Sequence, residues 1–199
     1  MKNTTDKQER IICAAIDIFA TTGYAASNVP SIAKAADVSV GSIYHYFKNK
    51  QAILNAVFQH VMTTFLESIS SSLDSAKETR VVFGKLFDVT INLIDQNTTA
   101  LHFIYQNIFN VDLDEDSKHL RSQVIDTLTD FLNAGQKSQI FVKSNVQAQI
   151  ALLTGSLSMM ANFSWIGKNI DHQTAPDQAT ILSLKNQLWN GLTNKQTVF

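Results

Sequence analysis

Cysteine occurs once, at Cys13. A lone thiol excludes an intrachain disulfide framework and a cysteine-based zinc knuckle, and it suits a reducing compartment. Proline occurs twice and glycine seven times in 199 residues, so there are few places to break long helices. That is also too few turn residues for a sandwich or barrel of many short strands. No charge of one sign predominates. The formal charge is −1, which excludes a polybasic protein that binds nucleic acid by bulk charge. No uninterrupted apolar run approaches the ~18 residues of a membrane span, and the first ten residues are polar and charged. The expectation is a cytoplasmic protein with no signal peptide and no transmembrane helix. Recognisable catalytic patterns are missing too: no glycine-rich phosphate loop, no nucleophile elbow and no His-Glu-x-x-His. His45, His60, His102, His119 and His172 never pair at metal-ligand spacing. No enzymatic activity, cofactor or metal is expected.

What is present is helical. Hydrophobic residues make up 45 % of the chain, enough for a core. Ile11, Ile12, Ala15, Ile16 and Phe19 recur at spacings of three and four, which predicts an amphipathic helix over about 6–22. Gly23 suits its left-handed C-cap. Ser27 reads as the N-cap of a short second helix with Pro30 in its first turn and Ile32, Ala33 and Ala36 inward. Asp37-Val38 makes a tight turn. Ser39 reads as the N-cap of a third helix over 40–47, and Asn49 as the cap of a fourth from Lys50 with Ile53, Leu54, Val57, Val61, Phe65 and Ile69 on one stripe. After a polar stretch from Ser70 to Glu78, helices are predicted over 81–95, 99–109, 114–134 (ended by Gly135), 145–165 (capped by Ser144, closed by Gly167) and from Thr174 to near Gly191. Ile140-Phe141-Val142 reads as a linker that packs. The fold class is all-α.

Three short helices with a tight turn between the second and third have the shape of a helix-turn-helix unit. A third helix of about eight residues is ~12 Å long, comparable to a major groove ~12 Å wide. Its first turn, Ser39, Val40, Gly41 and Ser42, is small enough for close approach to base edges. Free amides there favour phosphate oxygens. Tyr44, His45 and Tyr46 follow, with tips that donate hydrogen bonds. Residues 1–50 hold six basic against four acidic residues, while the remainder is net acidic.

At these residues the chain resembles the TetR family of bacterial transcriptional regulators. The resemblance runs from Glu9 to Leu54 and is carried most specifically by Val38-Ser39-Val40-Gly41-Ser42-Ile43-Tyr44-His45-Tyr46-Phe47 followed by Lys48-Asn49-Lys50. It implies DNA contacts at Ser27, Ser39, Val40, Ser42, Tyr44, His45 and Lys50, with Gly41 allowing close approach. Two positions depart from the family pattern. Asp37 stands where glycine is usual, and aspartate tolerates a left-handed backbone better than most residues. Val40 stands where a basic residue is frequent, which favours contact with a thymine methyl over a guanine.

The resemblance further implies two domains, a helix-turn-helix domain over 1–50 and an effector-binding and dimerisation domain over 51–199. A ligand pocket is expected among Phe65, Phe87, His102, Phe103, Gln106, Asn107, Phe131, Ser156, Met159 and Phe163, where aromatic residues leave clefts and a few polar groups orient a small apolar or aromatic effector. Apolar stripes on the last two helices, Ile150, Leu153, Gly155 and Leu157 with Ile181, Leu184, Leu188 and Leu192, are expected to pair two copies in a four-helix interface. The expected partners are thus a double-stranded DNA operator, a second copy of the chain and a small-molecule effector, with no membrane. The expected function is a repressor released from its operator by the effector, the fourth helix acting as lever. Two alternatives without DNA binding stay open: a helical small-molecule sensor or carrier, and an adaptor controlled by a protein partner.

Overall fold

A computed structural model describes residues 2–73 and 78–193. Among them are nine α-helices and no strand: α1 (Lys2–Thr22), α2 (Val29–Ala35), α3 (Val40–Tyr46), α4 (Lys50–Leu73), α5 (Thr79–Gln96), α6 (Thr98–Asn107), α7 (Glu115–Lys137), α8 (Val146–Asn169) and α9 (Gln178–Thr193), with a 3-10 turn at His172–Thr174. The all-α reading stands. The polar stretch read between Ser70 and Glu78 includes 74–77, which lie outside the described residues.

Helix ends follow side-chain chemistry. Gly23 closes α1 at φ +83°, Ser39 Oγ accepts from the Ser42 amide at 3.0 Å, and Asn49 Oδ1 accepts from the Ala52 amide at 2.8 Å. Other caps differ from expectation. Asn28, not Ser27, caps α2, accepting from both the amide and the hydroxyl of Ser31 at 2.9 Å. Asn145, not Ser144, caps α8. Asparagine caps as well as serine; at α2 the choice follows from Ser27 being buried while Asn28 is exposed. Thr174 ends the 3-10 turn, and Asp177 takes the amide of Thr180 at 2.7 Å just before α9, leaving Pro176 outside the helix. Gly135 and Gly167 do not end helices. A Cβ on Gly135 would lie 2.1 Å from the Phe141 ring, and one on Gly167 would lie 2.5 Å from the Ala175 Cβ. Both are sites of close packing inside α7 and α8. The left-handed residue past α7 is Gln139, at φ +60°.

The chain divides into two compact units. The first holds residues up to Thr64 together with Thr99–Arg121. Ile11, Phe19, Ile32, Ile43, Ile53, Leu54, Val57, Phe58 and Phe103 are fully buried in it, and Phe19 stacks on Phe103 with centroids 5.9 Å apart. Asn55 of α4 is a buried polar hub here. Its Oδ1 accepts from the Asp114 amide at 2.8 Å and the Ser117 hydroxyl at 2.7 Å, while its Nδ2 donates to the carbonyls of Gln51 and Asp112, each at 3.0 Å. The turn before α7 is thereby fixed on α4, with each polar atom of the amide satisfied.

The second unit holds Phe65–Thr98 and the chain from Ser122 onward. Its core is Phe83, Phe87, Leu132, Phe141, Leu153, Leu188 and Leu192. Trp189 packs on Phe83 and Phe141, and Phe131 meets Phe141 edge to face. The linker at Phe141 does pack: Phe141 is buried and the Val142 amide donates to the Leu192 carbonyl at 2.8 Å.

Candidate nucleic-acid interface

The α2–α3 turn is built around a left-handed aspartate. Asp37 sits at φ +52°, a conformation that short polar side chains tolerate. The guanidinium of Arg10 in α1 holds it. Nη2 donates to the carbonyls of Ala36 at 2.5 Å and Asp37 at 2.7 Å, and the Asp37 carboxylate lies 3.7 Å away. Two carbonyls that the end of α2 leaves unpartnered are thus satisfied from 26 residues upstream. No local pattern announces this role for Arg10, because its partners are distant in sequence.

From that turn α3 projects with a single buried residue, Ile43, while Phe47 at its C-cap is buried as well. Ser39, Gly41 and His45 are exposed, Ser42 is half-buried, Val40 is 37 % exposed and Tyr44 is 54 % exposed. Ile43 and Phe47 are the inward face, and everything between them that could touch a ligand points out. Ser39 and Ser42 share a hydroxyl–hydroxyl bond at 2.9 Å, and His45 meets Tyr46 edge to face. A short helix that keeps one side chain for packing and offers small and hydrogen-bonding residues outward has the chemistry of a groove reader.

Two of the expected DNA-contacting residues are placed differently. Ser27 is buried, and its hydroxyl donates to the Tyr24 carbonyl at 2.7 Å. The exposed polar groups at the start of α2 are Asn28 and, half-buried, Ser31. Asn28 was legible in principle as the asparagine two residues before Pro30. Lys50 is half-buried, with its ammonium donating to the carbonyls of Tyr24, Ala25 and Ser27 at 2.8, 3.2 and 3.0 Å.

Sequence comparison agrees with this geometry. Residues 11–57 match the family of bacterial regulatory proteins, tetR family, and residues 58–193 match the tetracyclin repressor-like C-terminal domain. The chain belongs to the TetR family. A fatty acid metabolism regulator protein of Bacillus subtilis is 33 % identical over 137 residues, which cover 67 % of this chain and 66 % of that protein. An HTH-type transcriptional regulator of Haemophilus influenzae is 24 % identical over 176 residues, or 87 % of this chain and 89 % of that one. The chain spans just under two thirds of the first of these. Among solved structures, the fatty acid degradation regulator FadR from Bacillus halodurans superimposes with a TM-score of 0.76 at 23 % identity, covering 94 % of this chain and 96 % of that one. TetR-family proteins are DNA-binding transcriptional regulators, and these relatives are regulators rather than enzymes.

The ten residues expected to form this TetR-family protein's pocket do not meet in one described cavity. His102, Phe103, Gln106 and Asn107 belong to the first unit, and Phe65, Phe87, Phe131, Ser156, Met159 and Phe163 to the second. Phe103 is core, and Phe87 belongs to the second core. Gln106 meets the His102 ring at 2.7 Å, and Asn107 Nδ2 donates to the Phe103 carbonyl. Only Ser156, Met159 and Phe163 share a described cavity. It is an open groove of about 740 Å³ between α8 and α9, lined also by Met160, Thr180 and Leu184.

The stripes expected to pair two copies are mostly occupied inside the second unit. Leu153, Leu188 and Leu192 are core, and Ile150, Leu157, Ile181 and Leu184 pack against it. The exposed apolar residues of α8 and α9 are instead Leu152, Met159, Phe163 and Leu182, at 45, 50, 39 and 60 %. Helical phase explains the exchange. The apolar residues of α8 are spread around its circumference, so periodicity alone does not say which of its stripes faces in. Against the expectation of no transmembrane helix stands one weak candidate among the described residues. The 24 residues of α8, with a window of mean hydropathy 1.2, are long and apolar enough to cross a membrane by length and composition, yet only 22 % of that window is buried within the chain.

Proposed function

We propose that this protein is a dimeric repressor whose α3 enters the major groove of an operator, released when a fatty acid or a derivative of one binds the second unit. The observation that carries the reading is the exposure of α3, with Ile43 its one buried residue. A helix kept for internal packing would bury Tyr44, which is 54 % exposed, whereas Tyr46 is half-buried. Ser39, Val40, Gly41, Ser42, Tyr44 and His45 supply the contacts, phosphate oxygens taking hydrogen bonds from hydroxyl and ring N–H donors and bases meeting the small first turn.

The open groove and exposed apolar residues of α8 and α9 support pairing with a second copy. A helix as apolar as α8 and as little buried needs a partner surface, and a two-fold copy of itself is the simplest complement. Two linked heads read two half-sites and multiply a modest single-head affinity. The whole then works from the cytoplasm as a soluble dimer. The effector class follows from the 33 % identical regulator of fatty acid metabolism, and an apolar acyl chain suits an aromatic and aliphatic interior. Release requires only that the effector prefer a dimer whose heads are misplaced for successive grooves, with a differential binding energy of about 1–3 kcal/mol.

Fluorescence anisotropy on duplexes from the region upstream of its gene tests this, with fatty acids and acyl thioesters of graded chain length added. Salt-sensitive binding that acyl compounds reverse is expected. Binding that no acyl compound weakens rejects the effector class. Absence of salt-dependent binding to any duplex rejects the regulator.

A further inference from the structure

We infer that Lys50 is a positioning residue for DNA binding, fastening the α1–α2 loop to the first turn of α4, rather than a cation that touches phosphate. The inference rests on the proposed DNA-binding function and changes which residues carry it.

An ammonium has three N–H donors and no acceptor. In this structure all three have carbonyl partners, Tyr24, Ala25 and Ser27, at 2.8–3.2 Å. The same nitrogen lies 4.6 Å from the centroid of the Tyr24 ring, a cation–π distance. Those three carbonyls belong to the turn that leaves α1 and enters α2, where helical partners are lacking. One lysine thus ties three carbonyls of the loop together, and a phosphate would have to displace a carbonyl to reach it.

The loop is held from its other side as well. The Asp112 side chain stands beside the Tyr24 phenol. The Asp112 backbone carbonyl takes the side-chain amides of Gln51 at 2.9 Å and Asn55 at 3.0 Å. Burial, then the neighbouring Asp112 carboxylate, push the Tyr24 phenol up to about 12, as expected of a phenol beside a negative charge. Lys50, Tyr24, Asp112 and Asn55 thus form one connected set within the first unit. The loop they fix leads directly into Asn28, the cap of α2, and α2 carries the turn that aims α3. A displaced loop misaims the reading helix while every DNA-facing side chain stays in place on it.

The salt dependence of binding separates the two roles. Each phosphate that is no longer neutralised by a protein cation lowers the log–log salt slope by about 0.9, whereas a misaimed head loses affinity at every salt concentration alike. A duplex enriched from a random pool by the wild-type protein serves as probe, with anisotropy titrations from about 50 to 200 mM salt. Lys50→Met, shown by circular dichroism to be folded, is expected to bind about ten-fold weaker or more with a slope parallel to wild type. Either an unchanged affinity or a slope lower by about 0.9 per head overturns the inference. If Lys50→Met does not fold, Lys50→Gln decides, because its neutral amide still donates to the loop carbonyls. Affinity largely retained at unchanged slope supports positioning, and a lowered slope refutes it. A wild-type protein that enriches no duplex sinks the regulator itself, and this inference with it.

Discussion

Two helices of this chain leave a large part of their surface uncovered, and they do so with opposite chemistry. α3 buries Ile43 and offers serines, glycine, tyrosine and histidine outward. α8 is largely apolar and leaves Leu152, Met159 and Phe163 exposed, beside Leu182 of α9. Water solvates the first surface at little cost, so its exposure is tolerable until a polar partner arrives. The second is costly at about 25 cal/mol per Å², so it calls for a permanent apolar cover. On the proposed function the contrast gives the two faces different partners: a reversible polyanion at α3, a lasting copy of the chain at α8 and α9. The largest test is to charge the second face. Met159→Glu with Phe163→Glu is expected to give monomers in sedimentation velocity and to lower operator affinity about 100-fold or more, because linked heads gain at least that factor from their connection. Helical content should be unchanged, since both side chains are exposed. A double variant that stays dimeric places the pairing surface elsewhere.

The next effect concerns α3. Tyr44→Ala removes a side chain that is 54 % exposed. Operator affinity is expected to fall about ten-fold, with stability in urea within about 0.5 kcal/mol of wild type. Equal losses of affinity and stability would mean that Tyr44 belongs to the fold and that the contrast between the two faces is false.

The reading unit was legible in the sequence because its signals are local. Ser39, Asp37, Gly23 and Asn49 each act within four residues of themselves, and the structure finds them in those roles. The error there is a one-residue choice between adjacent caps, Ser27 or Asn28, which depends on the burial of Ser27. What did not show was long-range. Arg10 reaches the carbonyls of Ala36 and Asp37, and Asn55 reaches residues 57–62 positions away. Residues 99–121 join the first unit although they follow α5 in the chain. In α8 and α9 the residue types were right and the phase was not. Leu188 and Leu192, read as pairing stripe, fill the core, while Leu152 and Leu182 are the exposed leucines of these helices. Apolar content says that a helix must be covered on most sides and is silent on which side its own chain covers.

Two glycines sharpen the same comparison at smaller magnitude. Gly135 lies under the Phe141 ring, and a Cβ there would approach to 2.1 Å. Gly135→Ala should destabilise the protein by about 1–3 kcal/mol through overpacking. Gly155, on the uncovered side of α8, has nothing within 4 Å of an added Cβ. Within one chain, Gly155→Ala should stabilise by about 1 kcal/mol through helix propensity. If a second copy packs closely on α8, that gain disappears from the dimer and reappears only in a monomeric background such as the double glutamate variant. Urea unfolding of the four combinations reads this directly. Gly155→Ala stabilising both backgrounds equally would show that no close partner lies there.

A pH dependence reports on the loop that leads into α2. Burial, with the neighbouring Asp112 carboxylate, raises the Tyr24 phenol to about 12 in the folded protein, against about 10 in an unfolded chain. The folded state therefore holds that proton more tightly. Its contribution to stability is complete below pH of about 10 and is lost as pH rises toward about 12. Tyr105, raised in the same direction by burial alone, adds to the same fall. Tyr24→Phe should make the loss of stability between those limits shallower in urea titrations. A wild-type profile that is flat there, or that Tyr24→Phe does not change, removes Tyr24 from the loop's anchoring.

The smallest expected effect is at Asp37. At φ +52° a glycine would relieve the left-handed strain, which for an aspartate is a fraction of the ~1–2 kcal/mol that ordinary residues incur. Glycine also loses more backbone entropy on folding, by about 0.4–1 kcal/mol. The two terms nearly cancel, and the carboxylate adds little, being fully exposed and 3.7 Å from Arg10. Asp37→Gly should therefore change stability by less than about 0.5 kcal/mol, because Arg10 holds backbone carbonyls that glycine keeps. Asp37→Val, with the same carbonyls but a β-branched side chain, should cost clearly more than Asp37→Gly. If glycine and valine behave alike, the turn is not held in the left-handed region, and α3 is aimed by Ile43 and Phe47 alone.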